Sequence, residues 1–458
     1  MMEKRPGIVI LGGGLTGLSA AYHLKQPWTM FEKEERLGGL CRTEERMGYL
    51  FDYTGHWLHL RDEGMKTLVG QLLPRDQIDS IERKARVYSK RVTTKFPFQA
   101  NLYGLPSDVL IECLMDAIEA PMHRSARTFD GSPGMKTFES YIQYHFGKGI
   151  AKHFMIPYNE KLWGIHPREL TYEWCSYFIP RPDLREIVVG AVTDSSLQLG
   201  HNNDFLYPKR GGIESLIQAL ESRLRDVHQS RCNSNPALDE AGLPGTNRIY
   251  THADPDEIDF VKKELVFGKE RYGYKTLVSS IPLTRLLDLM NLPREIDLQR
   301  RKLRCTSLTF MNMGTRNRSP SDWHWLYVPE SRYPFHRIIN YSNASPGMAP
   351  VGRSSLCVEM SQRQNPWNTN DIALALTEMK AINSPDDIVY LSANNHIDHA
   401  YVIFDECHKQ ATKEIHEFLR SHDIISTGRY GKWTYSLMEH AMLDGKNTAI
   451  EIDERMPS

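Results

Sequence analysis

The sequence predicts a mixed α/β chain: one parallel-sheet domain gathered from both ends of the polypeptide, interrupted by a helical insertion and a second, antiparallel sheet. Three observations carry this expectation. Ile8 to Leu11 is a short apolar strand, followed at once by glycines at 12, 14 and 17 and a helical run to Leu24. The apolar run YKTLVSSIPL, 274–283, reads as a buried strand that rejoins the same sheet. From 301 onward LTFMNMGT, WHWLYVPE, FHRIINYSN and SLCVEMSQ read as antiparallel strands with short turns.

With 458 residues the chain has room for two or three domains. We assign 1–80, 208–285 and 411–458 to a Rossmann-type domain, 101–185 to a helical domain, and 81–100, 186–207 and 286–410 to an antiparallel-sheet domain that receives the substrate. The net charge of −1 gives no global attraction to nucleic acid, so an anionic ligand needs a local cluster of cations. Seven scattered cysteines form no CxxC pair, which argues against a disulfide framework or a thiolate zinc site and fits a reducing cytoplasm. The apolar N-terminus mimics a signal peptide, but its regularly spaced glycines and the acidic residue beyond them argue otherwise. No stretch reads as a membrane span.

In the first element, Gly12 permits a tight turn, Gly14 lets the backbone approach a pyrophosphate, and Gly17 lets the helix pack on the strand. Leu15 and Thr16 complete the loop, and phosphate there meets the free N–H groups of a helix N-terminus. The next strand, WTMFEK, ends in Glu32 and Lys33, with the acid about where a ribose diol requires one. EKEERLGGLCRT then places Gly38, Gly39, Leu40 and Arg42 directly after it. This arrangement resembles the FAD-binding amine oxidase superfamily, in which the Gly-Gly turn and the basic residue run along the diphosphate and ribityl chain. By the same resemblance, GYLFDYTGHWLHL puts Gly55 and His56 near the isoalloxazine ring. At the other end, IISTGRYGKWTYSLMEHAMLDG resembles the C-terminal flavin motif, implicating Gly428, Arg429, Tyr435 and Met438. FAD is therefore the expected cofactor.

Between these ends, SDVLIECLMDAIEA is an amphipathic helix with Ser107 as cap, and KTFESYIQYHFGKGIAKHFM continues in helical period up to Pro157. FLYPKRGGIESLIQALESRL is a turn into a helix that leads back to the nucleotide domain. Loops near 233–247 and 364–370 read as surface connections, and NNHIDH, with His396 and His399, as a solvated loop rather than a metal site.

The blocks FPFQANLYGLP, HFMIPYNEKLWGIHPREL, FLYPKRGGIESL, WLYVPESRYPFHRIINYSN and GRYGKWTY occur in this order. Together they resemble the eukaryotic-type branch of UDP-galactopyranose mutase, nearly end to end. The resemblance implies interconversion of pyranose and furanose forms of a UDP-sugar with no net redox change. Reduced flavin would attack the anomeric carbon through N5, and NADPH or NADH is the candidate reductant. It implies that Arg337, Tyr327, Tyr401, Arg429 and Tyr435 converge on the diphosphate, with His56, Arg337 and Arg429 as the catalytic group. It further implies a nucleotide pocket lined by Phe154, Tyr158, Asn159 and Trp163, with Gln99, Asn202 and Asn203 as other polar contacts. Aromatic rings stack on a base while amides bond its edge.

Two departures bear on the substrate. Where the family has an arginine after the tryptophan, this chain has Phe178, with Arg181 three residues on, and the flavin loop reads TGHW where two glycines would precede the histidine. The rival reading is an FAD-dependent oxidoreductase resembling protoporphyrinogen or amine oxidases, which would share both flavin motifs without needing the convergent arginines and tyrosines.

Overall fold

A computed structural model describes residues 7–124, 136–175, 178–194, 203–224, 227–231, 247–362, 369–382 and 387–455. Strand Gly7–Leu11 lies at the centre of an eight-stranded sheet, paired in parallel with Trp28–Phe31 on one side and Glu270–Ser279 on the other. Strands Asn247–Thr251 and Val227–Arg231 extend it beyond Trp28–Phe31. On the far side, Ile424–Ser426 pairs in parallel with Leu277 to Ser279, so the last strand of the chain joins the first across one intervening strand. The expected strand within 274–283 is thus present and begins earlier, at Glu270. Its first residues close an antiparallel meander with Glu257–Asp259 and Glu264–Phe267.

Helix Leu15–His23 packs along helix Met438–Arg455, bringing the two ends of the sequence together beside the sheet. The central strands are apolar and fully covered, as parallel strands flanked by helices must be: Val9, Ile10, Met30, Leu277 and Val278 have no exposed surface.

The second sheet has seven strands, in the order Ile388–Val402, Cys305–Thr315, Ser354–Gln362, Arg337–Asn340, Trp325–Tyr327, Ala85–Ser89 and Val92–Lys95. All pairings are antiparallel except Trp325–Tyr327 with Ala85–Ser89. Its outer face is covered by a helix, Thr369–Ala381, that the sequence reading did not foresee; Ala375 and Met379 pack there with Met311, Met313, Val358 and Met360. The loops expected near 233–247 and 364–370 lie mostly outside the described residues, and residues 247 and 369–370 open a strand and this helix. NNHIDH belongs to the edge strand Ile388–Val402 rather than to a loop: His396 pairs with Thr309, and His399 Nε2 lies 3.0 Å from Thr284 Oγ1. Polar side chains on the open face of an edge strand have the same composition as a loop.

The helical segment holds Ser107–Arg124, Phe138–Ile150 and Ile156–Trp163. The second of these breaks at Gly147, at φ +79°, and beyond it the helix runs on through a π turn, Ala151–Met155, in which Ile156 N–H donates to Ala151 O. Pro157 was expected to end the helix. Instead it sits at the start of the next helical stretch, where a missing N–H costs little, and the helix runs on to Gly164 in the left-handed conformation. Helix Leu184–Val192 packs on Ser107–Arg124, so residues 186–192, which the sequence reading grouped with the sheet, lie against the helices. Strand Asp204–Pro208 pairs with Ile78–Glu82 in a separate ribbon. Among the described residues no helix is long and apolar enough to cross a membrane, no acid–histidine–cysteine group could hold a metal, and six cysteines are free.

Candidate functional site

One cavity of about 1180 Å³ runs from the glycine loop at Gly12 to the antiparallel sheet at Tyr401. At its glycine-loop end the backbone is bare by necessity. Gly12 has φ +99°, and a Cβ on Gly17 would stand 2.0 Å from the Gly12 carbonyl oxygen, so this turn closes only with hydrogen at both positions. Gly14 faces Gly39 so closely that a Cβ on Gly39 would lie 3.2 Å from the Gly14 Cα. Glu32 is buried at the strand end; its Oε2 accepts from Gly13 N at 2.6 Å and its Oε1 from Glu34 N at 2.9 Å. Burial raises its pKa, the two N–H donors partly restore the charge, and two of its lone-pair directions remain for a diol. Arg42 lines the cavity and lies 3.8 Å from Glu34.

The C-terminal motif closes the same space. Arg429, Tyr435 and Met438 line the cavity, whereas Gly428 lies one layer back at φ +81°, where a Cβ would meet Thr16 Oγ1 at 2.4 Å. Gly17 is likewise a packing residue rather than a lining one. Leu15, Thr16, Lys33, Leu40 and Gly55 all line the wall. Thr54, at one of the positions expected to be glycine, takes φ +68°, a left-handed conformation rare for a β-branched residue. His56 follows it with Nδ1 buried and unpartnered. Burial pulls its pKa to about 4 against the Thr54 carbonyl, with Arg429 and Arg337 adding to the depression, so the imidazole is neutral at neutral pH. The bare glycine turns, the half-satisfied Glu32, Arg42 and this orphan nitrogen together fit a dinucleotide with a planar head at His56.

The far end is built by strand register. Tyr327 stands directly opposite Arg337 across one antiparallel pair, and Arg337 directly opposite Glu359 across the next. Side chains abreast on neighbouring strands share a face, so the three form a row. Glu359 has no exposed surface, and its Oε2 accepts from Arg337 Nε at 2.5 Å. Burial is the largest influence on Arg337 and opposes its charge, but Glu359, Tyr401 and Tyr158 together raise the pKa well above its ordinary value. Arg337 Nη2 reaches Tyr401 Oη at 3.5 Å. Arg429 donates to Ser436 O at 2.6 Å and Ala400 O at 3.0 Å, and its guanidinium stacks 4.6 Å from the Tyr435 ring. Arg181 is exposed on the wall, and Phe178 meets Tyr435 edge-on at 4.6 Å.

The aromatic stretch 153–165 lies elsewhere than expected. Phe154, Tyr158, Asn159 and Trp163 are buried behind the cavity and do not line it. Phe154 stacks between Phe98 and Tyr158, Tyr158 meets the Tyr327 ring edge-on at 5.4 Å, and Trp163 packs on Tyr401 and Tyr435. Asn159 bonds within its own helix, donating to Met155 O at 2.8 Å and accepting from Trp163 Nε1 at 3.1 Å. Gln99 is buried and donates to Pro180 O at 2.8 Å, bracing the loop that carries Phe178 and Arg181. Asn203 is exposed and lines nothing; its carbonyl receives Arg83 N at 2.8 Å. Asn202 lies outside the described residues.

Sequence reasoning missed Trp325 and Arg83. Trp325 is two residues from Tyr327 on the same strand, a period-2 signal that could have found it. Arg83 lies over the Phe96 and Trp325 rings at 4.8 and 4.7 Å and donates to Tyr327 Oη at 3.0 Å; nothing in IERKARVYS marks it.

Residues 10–72 match the model of an NAD(P)-binding Rossmann-like domain. Coproporphyrinogen III oxidase of Mycobacterium tuberculosis is 34% identical over 105 residues, 21% of this chain and 23% of that protein. A probable flavin-containing monoamine oxidase A of Dictyostelium discoideum is 29% identical over 116 residues, 24% of this chain and 25% of that one. The matches thus span about a quarter of the length of these curated relatives. Over the whole fold, a solved structure of reduced UDP-galactopyranose mutase superposes with a TM-score of 0.86 at 25% identity, covering 99% of this chain and 95% of that one. A putative protoporphyrinogen oxidase from Exiguobacterium superposes at 0.73 and 14% identity, covering 99% and 100%.

Proposed function

We propose, from a chain that belongs to the flavin-dependent superfamily of amine and protoporphyrinogen oxidases and UDP-galactopyranose mutase, that this protein is an FAD-dependent nucleotide-sugar mutase exchanging pyranose and furanose rings of a UDP-sugar. The observation that supports this most is the row Tyr327, Arg337, Glu359, joined by Tyr401, Arg429 and Tyr435 at the far end of the cavity. A guanidinium fork among phenolic hydroxyls suits a diphosphate.

Gly12, Gly14, Gly39, Glu32 and Arg42 would hold the dinucleotide, and Gly55, His56, Tyr435 and Met438 the planar head. Bound in its reduced form, the flavin supplies a nucleophile for the anomeric carbon, so the sugar is exchanged without net oxidation. The chain does the rest. Arg337, with Nε held by Glu359, presents its Nη edge to the departing diphosphate, and Tyr327, Tyr401 and Tyr435 donate hydroxyl protons to it. Holding the leaving group nearby lets it return to the same carbon after the ring has changed size. Neutral His56, which lines the cavity, is the candidate group for the proton that moves between sugar hydroxyls. A reducing cytoplasm suits this chemistry and the free thiols.

The second reading, an FAD-dependent oxidoreductase on another substrate, draws on the oxidase names of the curated relatives. Anaerobic reduction of the purified holoenzyme, followed by UDP-galactopyranose or UDP-galactofuranose and chromatography of the products, separates the two. Ring exchange that needs reduced flavin and consumes no reducing equivalents supports the mutase. No exchange, with stoichiometric reduction of oxidised flavin by an amine or porphyrinogen, sinks it.

A further inference from the structure

We propose that Lys161 is a positioning residue for the diphosphate end of the cavity, its ammonium pinning from behind the turn that joins Tyr327 to Arg337. The proposal rests on the reading of those two residues as diphosphate ligands. The turn leaves its strand after Tyr327 and returns at Arg337, tied across its neck by Val328 N donating to His336 O at 2.9 Å. Three carbonyls of the turn converge on one point. Lys161 Nζ donates to Val328 O at 2.6 Å, Glu330 O at 3.1 Å and Phe335 O at 2.5 Å, so its three protons meet three acceptors.

The ammonium comes from helix Ile156–Trp163, the same helix whose Tyr158 packs edge-on against Tyr327. One rigid element therefore braces both the phenol and the loop leading to the guanidinium. Burial pulls the Lys161 pKa down to about 7, and Glu330 opposes that pull. The Glu330 carboxylate is itself held by Lys90 N at 2.6 Å and Arg332 Nε at 2.9 Å, which fixes the outside of the turn. A lysine serving only as packing would not need three carbonyl partners on a segment outside any ladder; a methionine of similar length would fill that space but leave those carbonyls without this donor.

The test uses the FAD-loaded holoenzyme at about pH 6, where the ammonium keeps its proton. Three readouts compare Lys161→Met with wild type: hydrogen exchange of the amides at 328–337, calorimetric binding of UDP, and the split between KM and kcat in the mutase assay. The expected result is faster exchange in 328–337 with helix Leu15–His23 unchanged, and UDP Kd and sugar-nucleotide KM raised roughly tenfold. At saturation kcat should stay within about twofold of wild type, because the clamp supports binding rather than chemistry. Lys161→Gln, which can donate to two of the carbonyls, should fall between, and it carries the comparison if the methionine variant does not fold. A folded, FAD-replete variant with wild-type exchange at 328–337 and wild-type UDP affinity overturns the proposal. If wild type itself does not bind UDP, the diphosphate reading falls on its own, and unchanged exchange in the variant then also overturns the clamp.

Discussion

Exchanging Glu359 for glutamine should move stability and ligand affinity in opposite directions. The carboxylate is fully buried, lies 2.5 Å from Arg337 Nε and 3.6 Å from His336 Nε2, and faces no solvent. Glutamine keeps the volume but leaves the guanidinium without a counter-ion. Breaking one side of a buried ion pair costs about 3–5 kcal/mol. Arg337 still reaches the cavity through its Nη edge, where water relieves part of the penalty, so a loss of about 2–3 kcal/mol is expected.

Anion binding goes the other way. A phosphate on the Nη edge would sit about 6 Å from the carboxylate across the guanidinium, a repulsion of about 2–3 kcal/mol per unit charge at an effective dielectric of about 20. Removing it should tighten UDP by about tenfold at low salt, the remainder being lost to a less firmly oriented fork. Thermal unfolding of the E359Q holoenzyme with and without UDP, alongside calorimetry, reads both signs at once. The variant should melt lower without UDP, gain more from UDP than wild type does, and lose that advantage at high salt. A folded, flavin-loaded E359Q that binds UDP no better than wild type refutes the charge argument.

Three further outcomes follow from the same geometry. Gly428→Ala forces a Cβ to 2.4 Å from Thr16 Oγ1 at φ +81°, and should yield protein with little flavin by absorbance ratio. Thr54→Gly relieves a left-handed β-branched residue at φ +68°, and should raise stability by up to about 1 kcal/mol after the entropy of glycine is subtracted; a lower denaturation midpoint would contradict this. His56, His59 and His324 have pKa values pulled to about 4 by burial, so the unfolded chain takes up protons near pH 6.5 that the folded one refuses, and stability falls as pH drops toward 4. Asp52, raised to about 7 by burial, keeps its proton in the folded state and opposes this, but His336, held well below its ordinary value by burial, adds to it, so stability should fall by a few kcal/mol, roughly, per pH unit between about pH 6 and 4.5. A denaturation series over that range should show the slope and its sign.

The glycine turn between the first strand and its helix was legible because much of what shapes it is local. Gly17 is demanded by the Gly12 carbonyl five residues before it and Gly12 by its own φ of +99°, although Ser280 and Ile281 from a distant strand end also crowd Gly12. The row Tyr327, Arg337, Glu359 is set instead by register between strands that a long turn separates, so its first two members were found only through resemblance and the third was missed. The stretch 153–165 misled for a different reason. An aromatic and amide pattern reads alike on a pocket wall and one layer behind it, and only the bonds from Asn159 Nδ2 to Met155 O and from Trp163 Nε1 to Asn159 Oδ1 show that the amide is satisfied within the helix. The two residues that made the stretch odd do have causes: Pro157 follows a π turn, and Lys161 is called for by three carbonyls. Thr54 in place of glycine was visible in the sequence, and the structure gives it a strained conformation that a glycine would take freely.

Phe178 changes how binding energy is divided along the cavity. Where the mutases that this chain resembles carry an arginine, an apolar ring meets Tyr435 edge-on, and Ile179 and Pro180 continue the same wall. Arg337 is tied to Glu359 and Arg429 to two carbonyls, so each keeps one edge for ligand, and both lie toward the antiparallel-sheet end of the cavity. Under the proposed reaction the sugar must leave the nucleotide, open, and close again as another ring while the nucleotide waits. A site that grips the diphosphate with charge and the sugar with little more than aromatic surface permits that reorientation, because contacts made equally to both ring forms lower KM without raising kcat. Specificity for the sugar would then rest on shape at Phe178 and Tyr435 rather than on charge. Phe178→Arg should therefore tighten UDP, through added positive charge, while slowing turnover of the sugar nucleotide. Tighter UDP binding with unchanged or faster turnover would place the sugar away from this wall.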